Sequence, residues 1–126
     1  MRTPNPTLTP QELAIMKVVW SKEKATVRDV YETLRQKRQV AYTTVMTMMR
    51  ILEEKGYLKK ALTDRAHVYK PAHPRQQVLA AMVRDFIDRV FDGAPDHLLL
   101  QLARDNQLTD KQRRIVEQLI EETDGE

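Results

Sequence analysis

The order in which this chain changes its hydrophobic period constrains its fold more than any one residue does. Up to Lys55 the apolar residues recur every third or fourth position, as on one face of a helix. Directly after Gly56 the stretch YLKKALTDRAHVYKPA reads as two short extended runs, Leu58–Leu62 and Ala66–Pro71. The residues TDRA between them have turn chemistry, because the Asp64 carboxylate can accept from nearby backbone amides.

Three helical segments precede that hairpin. In Thr9-Pro10-Gln11-Glu12 the threonine suits an N-cap, the proline the first helical position and the glutamate the reciprocal capping position. Leu13, Ile15, Met16, Val19 and Trp20 carry the pattern to about Ser21, and Trp20 reads as a core anchor because it prolongs that pattern. Thr26, with Asp29 three residues on, opens a second helix whose face is Val27, Val30, Tyr31 and Leu34, running to about Lys37. A short link carrying Arg38 leads into a third helix from about Tyr42 to Lys55, closed by Gly56 at the position that favours positive φ. Three helices and then a hairpin is the order of a winged helix-turn-helix, in a mainly α chain.

His73-Pro74 marks the expected boundary between a winged-helix domain over residues 1–73 and a helical domain over 74–126. In the second part Val78, Leu79, Met82, Val83, Phe86, Ile87, Val90 and Phe91 pair every third or fourth position before Gly93. Pro95 begins another helix, with Leu99 and Leu102 among its leucines. Thr109 and Gln112 make a capping box for a last helix bearing Ile115, Val116, Leu119 and Ile120. Three helices with more apolar surface than partners point to a homodimer, since two-fold association is the commonest way to bury such a stripe. The alternative is that the long helix packs back on the first domain.

The net charge of +3 conceals an asymmetry. Residues 1–73 carry 14 Lys and Arg against 7 Asp and Glu, whereas 74–126 carry 7 against 11. A basic half joined to an acidic half suggests that only the first faces a polyanion. No apolar run approaches the ~20 residues of a membrane span, and MRTPNPTLTP has no signal-peptide core, so a cytoplasmic protein is expected. The absence of cysteine removes disulfides, thiolate metal sites and cysteine nucleophiles. His67, His73 and His97 lack metal-ligand spacing, and no phosphate-cradling glycine loop or nucleophile elbow is present. Neither a metal, nor a cofactor, nor an enzymatic activity is expected.

The third helix, AYTTVMTMMRILEEKGYLKK with its flanks, carries the functional signal. At 100° per residue Val45, Met48, Met49 and Leu52 fall on one side, suited to packing. The other side presents Thr43, Thr47 and Arg50, flanked by Thr44 and Met46. Threonine can offer its hydroxyl to base edges or phosphates and its methyl to the thymine methyl group. Arg50 can reach a phosphate or a guanine edge, and the helix-start amides can hold a phosphate. Arg28, early in the second helix, and Lys59, Lys60, Arg65 and His67 on the hairpin are candidate backbone contacts. A winged helix of this kind could instead dock another protein, with no specific DNA binding; the basic wing and threonine face favour double-stranded DNA.

Three segments, LTPQELAIMKVVW, AYTTVMTMMRILEEKGYL and DRAHVYKPAHPR, resemble the penicillinase-repressor and methicillin-resistance-repressor family, from about Leu8 to Glu122. The resemblance implies a winged-helix transcriptional repressor that dimerises through its C-terminal helices on a palindromic operator with TACA/TGTA-type half-sites. Beta-lactamase or cell-wall stress genes are the targets it implies. The recognition role falls on Thr43, Thr44 and Thr47, with Tyr42 just before them where members vary. Antibiotic-responsive members are cut at an Asn-Phe bond by a sensor-linked protease, and Gln101-Leu102 stands at that point here. Copper-responsive relatives use cysteines, which this chain lacks, so a Cu(I)-thiolate sensor is excluded.

Overall fold

The computed structural model describes residues 8–63 and 66–124. Helix α1 spans Pro10–Lys22, α2 Val27–Leu34 and α3 Tyr42–Glu54. Strands β1 (Leu58–Thr63) and β2 (Ala66–Pro71) follow, and then α4 (Arg75–Val90), α5 (Pro95–Ala103) and α6 (Asp110–Asp124). The fold is therefore mainly helical with a winged helix-turn-helix, as the change of period at Gly56 predicts.

Local chemistry sets the helix ends. Thr9 accepts from the Glu12 amide at 3.1 Å while the Glu12 carboxylate accepts from the Thr9 amide at 2.9 Å. Thr26 and Asp29 make the same reciprocal pair at the start of α2, and Thr109 and Gln112 make it before α6. Gly56, at φ +93°, ends α3. The Tyr57 amide then reaches back to Leu52 O and the Gly56 amide to Glu53 O, a Schellman closure that turns the chain into β1. Helix α2 stops at Leu34 rather than near Lys37. After Leu34 the residues RQKRQ offer nothing apolar to bury, so no packing extends the helix.

The chain divides into two compact units that meet within α4, one reaching Met82 and the other beginning at Val83. In the first, Ile15, Met16, Val19, Val30, Val45, Met49 and Leu52 are at most 1% exposed. All three N-terminal helices thus contribute to one core, with Tyr57, Leu58 and Tyr69 added from the wing. Ala25, between α1 and α2, exchanges two backbone hydrogen bonds with Tyr69, at 2.9 and 2.8 Å, and so forms a one-residue third rung on the hairpin. Trp20 is half-buried and donates from Nε1 to His73 O at 3.1 Å, tying α1 to the segment after the wing.

Val78 has a place inside the single chain. Proposed from its spacing as part of a dimer seam, it is 3% exposed and belongs to the core of the first unit. The hydrophobic stripe of α4 is continuous in sequence, but its first two turns already have a partner within the chain: Met82, half-buried, packs against the same core.

At the edge of the core lies a partly buried ion pair. Glu12 is only 4% exposed, and the Lys55 ammonium sits 3.0 and 2.9 Å from its two carboxylate oxygens. Burial pushes the Glu12 carboxyl up, but the Lys55 and Thr9 hydrogen bonds outweigh it and hold the pKa below the ordinary carboxylate value. The pair joins the first turn of α1 to the C-cap residue of α3, and so fixes α3 against α1.

In the second unit α5 packs on α6, and Arg113 of α6 donates to the Ala103 and Asp105 carbonyls at the end of α5. Phe86 and Phe91 meet edge to face at 5.8 Å. Val83, Phe86, Val90, Ile115 and Leu119 are each between 41 and 51% exposed in the single chain. Ile87 and Val116, at 6 and 8%, are already buried. Leu79, Phe91, Leu99, Leu102 and Ile120 are half-buried. No helix among the described residues is long and apolar enough to cross a membrane.

Candidate nucleic-acid interface

Helix α3 has two unlike faces. Val45, Met49 and Leu52 are fully buried and Met48 is half-buried, so the helix is anchored along one side. Tyr42, Thr43, Thr44, Met46, Thr47 and Arg50 are all exposed, with Met46 at 46%. The six residues expected to face a ligand all lie outside the core, as do Ile51 and Glu54 nearer the C-terminal end of the helix. Three threonine hydroxyls, a phenol, a thioether and a guanidinium lie along about two and a half turns.

The start of α3 differs from the starts of α1 and α2. Its N-cap is Ala41, whose side chain cannot accept a hydrogen bond, and the first intrahelical bond is made by the Val45 amide to Ala41 O. The amides of Tyr42, Thr43 and Thr44 are thus not consumed by a cap of the kind that Thr9 and Thr26 provide. Uncapped amides at a helix N-terminus, with the helix dipole behind them, suit an anionic oxygen. The Tyr42 ring is held edge-on against Tyr31 of α2, centroids 5.5 Å apart, which fixes this end of α3 on its neighbour. Arg28, the second residue of α2, is exposed and borders the N-terminal end of that helix.

The wing separates residues that the sequence groups together. The register pairs Leu58 with Pro71, Lys59 with Lys70, Lys60 with Tyr69 and Leu62 with His67. Alternation therefore puts Lys60 and His67 on the face that carries the buried Leu58 and Tyr69, and Lys59 on the other. Lys60 lies 3.8 Å from Glu53 of α3, which offsets part of its charge. Lys59 stands directly across from Lys70, and like charges opposite one another destabilise a strand pair unless an anion lies between or over them. Lys70 is thus an interface candidate that residue spacing alone did not single out; the signal was its register with Lys59. Burial raises the Tyr69 phenol pKa, Glu53 adding to this and Arg50 opposing it, so wing and α3 share one electrostatic neighbourhood. Arg65 lies outside the described residues, as does Asp64.

Gln101 and Leu102, at the expected cleavage position, lie inside α5, with Gln101 exposed and Leu102 half-buried. Among the described residues no group of three His, Asp or Glu side chains is placed to hold a metal ion.

The sequence model of the penicillinase repressor family matches residues 8–122. The chain belongs to the penicillinase repressor family. This family member is 40% identical over 83 residues to the transcriptional regulator BlaI of Mycobacterium tuberculosis, covering 65% of this chain and 60% of that relative's length. With the penicillinase repressor of Bacillus licheniformis it shares 25% identity over 117 residues, 93% of this chain and 91% of the relative. Among solved structures it is similar to monomeric BlaI from Bacillus licheniformis in complex with the blaP half-operator. That likeness has a TM-score of 0.52 and 26% identity, covering 60% of this chain and 92% of that one. The family is one of repressors and not of enzymes.

Proposed function

We propose that this penicillinase-repressor family member is a sequence-specific DNA-binding transcriptional repressor. The observation that carries the reading is α3: a helix clamped by Val45, Met49 and Leu52, presenting Thr43, Thr44, Thr47 and Arg50 behind uncapped N-terminal amides. Laid in a major groove, such a face brings hydroxyls and methyls to base edges, while the amides and Arg50 take phosphates. Arg28 and the Lys59–Lys70 pair extend the contacts along the duplex backbone on either side. A half-operator complex of a relative 26% identical supports the same use of this domain.

The repressor acts as a homodimer on a palindromic operator, with half-sites about one helical turn (~34–36 Å) or a multiple of it apart. The exposed Val83, Phe86, Val90 and Ile115 support this assembly, because a single chain leaves about half of each side chain accessible to water. The family likeness supports TACA/TGTA-type half-sites and targets among beta-lactamase or cell-wall stress genes, in a cytoplasmic setting. Release by a sensor-linked protease at Gln101-Leu102 requires unwinding the end of α5, since a scissile bond must be extended to enter a protease cleft.

Sequencing genomic fragments retained by the purified protein tests the reading. A recovered inverted repeat with fixed spacing supports it. Retention of no sequence above background, from the DNA of its own genome, overturns it.

A further inference from the structure

A second feature of the first unit lies apart from the outward face of α3. Between α1 and the end of α2 is a cleft of about 580 Å³, within the size range of sites for small organic ligands. Leu13, Ala14, Val18 and Leu34 supply its apolar walls. Around them stand Lys17, Lys22, Lys37 and Arg38, all four exposed, and among the described residues no acidic side chain lines the cleft. None of the four cations has an ion-pair partner among the described residues, although the nearby Arg35 and Lys55 each do.

We propose that this cleft binds a small amphipathic anion: a flat or aliphatic body of one to two rings' size bearing one carboxylate or sulfonate. Leu13, Ala14 and Val18 are half-buried and would bury further against such a body, releasing water from both, while the buried Leu34 forms the floor. Four cations with no compensating carboxylate repel one another, and a bound anion relieves that repulsion. A neutral apolar ligand satisfies only the walls, and an inorganic anion only the rim. The cleft therefore selects for both properties together. Its concave form and limited volume suit a small molecule more than the broad face that a protein partner covers.

The position gives occupancy a consequence. Leu34 and Arg38 border the link that leads into α3, so a ligand held there bears on the segment that sets the start of the recognition helix. This consequence, though not the binding itself, rests on the DNA-binding reading. It provides a release signal that needs no cleavage of the chain.

The test is a titration of the full chain with 2-naphthoate, followed through backbone amide NMR shifts, with uncharged 2-naphthamide as comparator. Saturable shifts should centre on residues 13–22 of α1 and 33–38 at the end of α2, with the amide binding about tenfold more weakly or worse. Reversing two exposed rim charges, Lys17→Glu with Lys22→Glu, should weaken 2-naphthoate roughly five- to twentyfold, because each is a solvent-screened attraction. Ala14→Phe, which fills the cleft, should abolish those shifts while thermal unfolding confirms the fold. Equal affinity for the amide, indifference to the charge reversals, or shifts centred elsewhere would overturn the proposal. So would shifts at these amides that grow with protein concentration alone, which would mean a second copy fills the cleft, or that appear only with duplex DNA. Failure of the protein to bind any DNA would count against the repressor reading and leave the cleft result standing.

Discussion

Thr47 is the residue on which the account of recognition rests most narrowly. It is exposed near the middle of α3, one turn beyond Thr43, where a hydroxyl and a methyl can both face base edges. Thr47→Ala is expected to weaken binding to the cognate operator by about 1–3 kcal/mol and to change binding to random duplex little. Competition titrations measure both, and equal losses would move Thr47 to backbone positioning. Glu12 belongs to the same scale but to stability. Its folded pKa lies below the ordinary carboxylate value, so its contribution is complete above that value and is lost as pH falls through the folded pKa. Glu12→Gln should lower stability by roughly 1–3 kcal/mol near neutral pH, since Lys55 keeps some access to water, and should flatten the acid limb of a stability-versus-pH curve. Urea unfolding from pH 3 to 7 would show this; an unchanged acid limb would mean that other carboxylates dominate it. The Thr9–Glu12 capping box was legible in sequence, but the Lys55 partner was not. It stands 43 residues away in sequence, and only the packing of α3 on α1 brings it near.

At the scale of elements, the helix starts and stops were the most legible features, because each is fixed by a few adjacent residues. Gly56 is the clearest case: its positive φ allows the Tyr57 amide to close on Leu52 O and aims β1 back along α3. Gly56→Ala should destabilise the fold by about 1–2 kcal/mol through the left-handed backbone it must adopt, without altering which residues α3 presents. Denaturant titration measures the loss, and a neutral result would show that the turn can re-form at another φ. Register was not legible. Lys59 and Lys60 are neighbours in sequence, yet the hairpin sends them to opposite faces and pairs Lys59 with Lys70. The stripe of α4 shows the same limit at its other end. A period of three to four marks Val78 and Phe86 alike, but Val78 is buried in the first unit's core while Phe86 stays 41% exposed.

For the whole molecule, charge and exposed apolar surface are divided: the basic part is the one proposed to meet DNA, and the acidic part carries the apolar face proposed to meet a second copy. Phe86→Asp should shift the assembly toward monomer, because it places an unpaired charge within the exposed apolar face of α4. Sedimentation at micromolar concentration would show it, and an unchanged mass would remove Phe86 from the interface. The overall class was legible because helix, helix, helix and hairpin succeed one another within 71 residues. Helix α3 is expected to read DNA while a basic surround holds the phosphates. Fluorescence anisotropy on a labelled TACA/TGTA palindrome and on a scrambled duplex of equal length, titrated across salt concentrations, tests it most directly. The account predicts a log–log salt slope of about −4 or steeper on the palindrome, as several phosphate contacts require, and at least tenfold weaker binding to the scrambled duplex. No binding at low salt, or equal binding to both duplexes at every salt concentration, would contradict it.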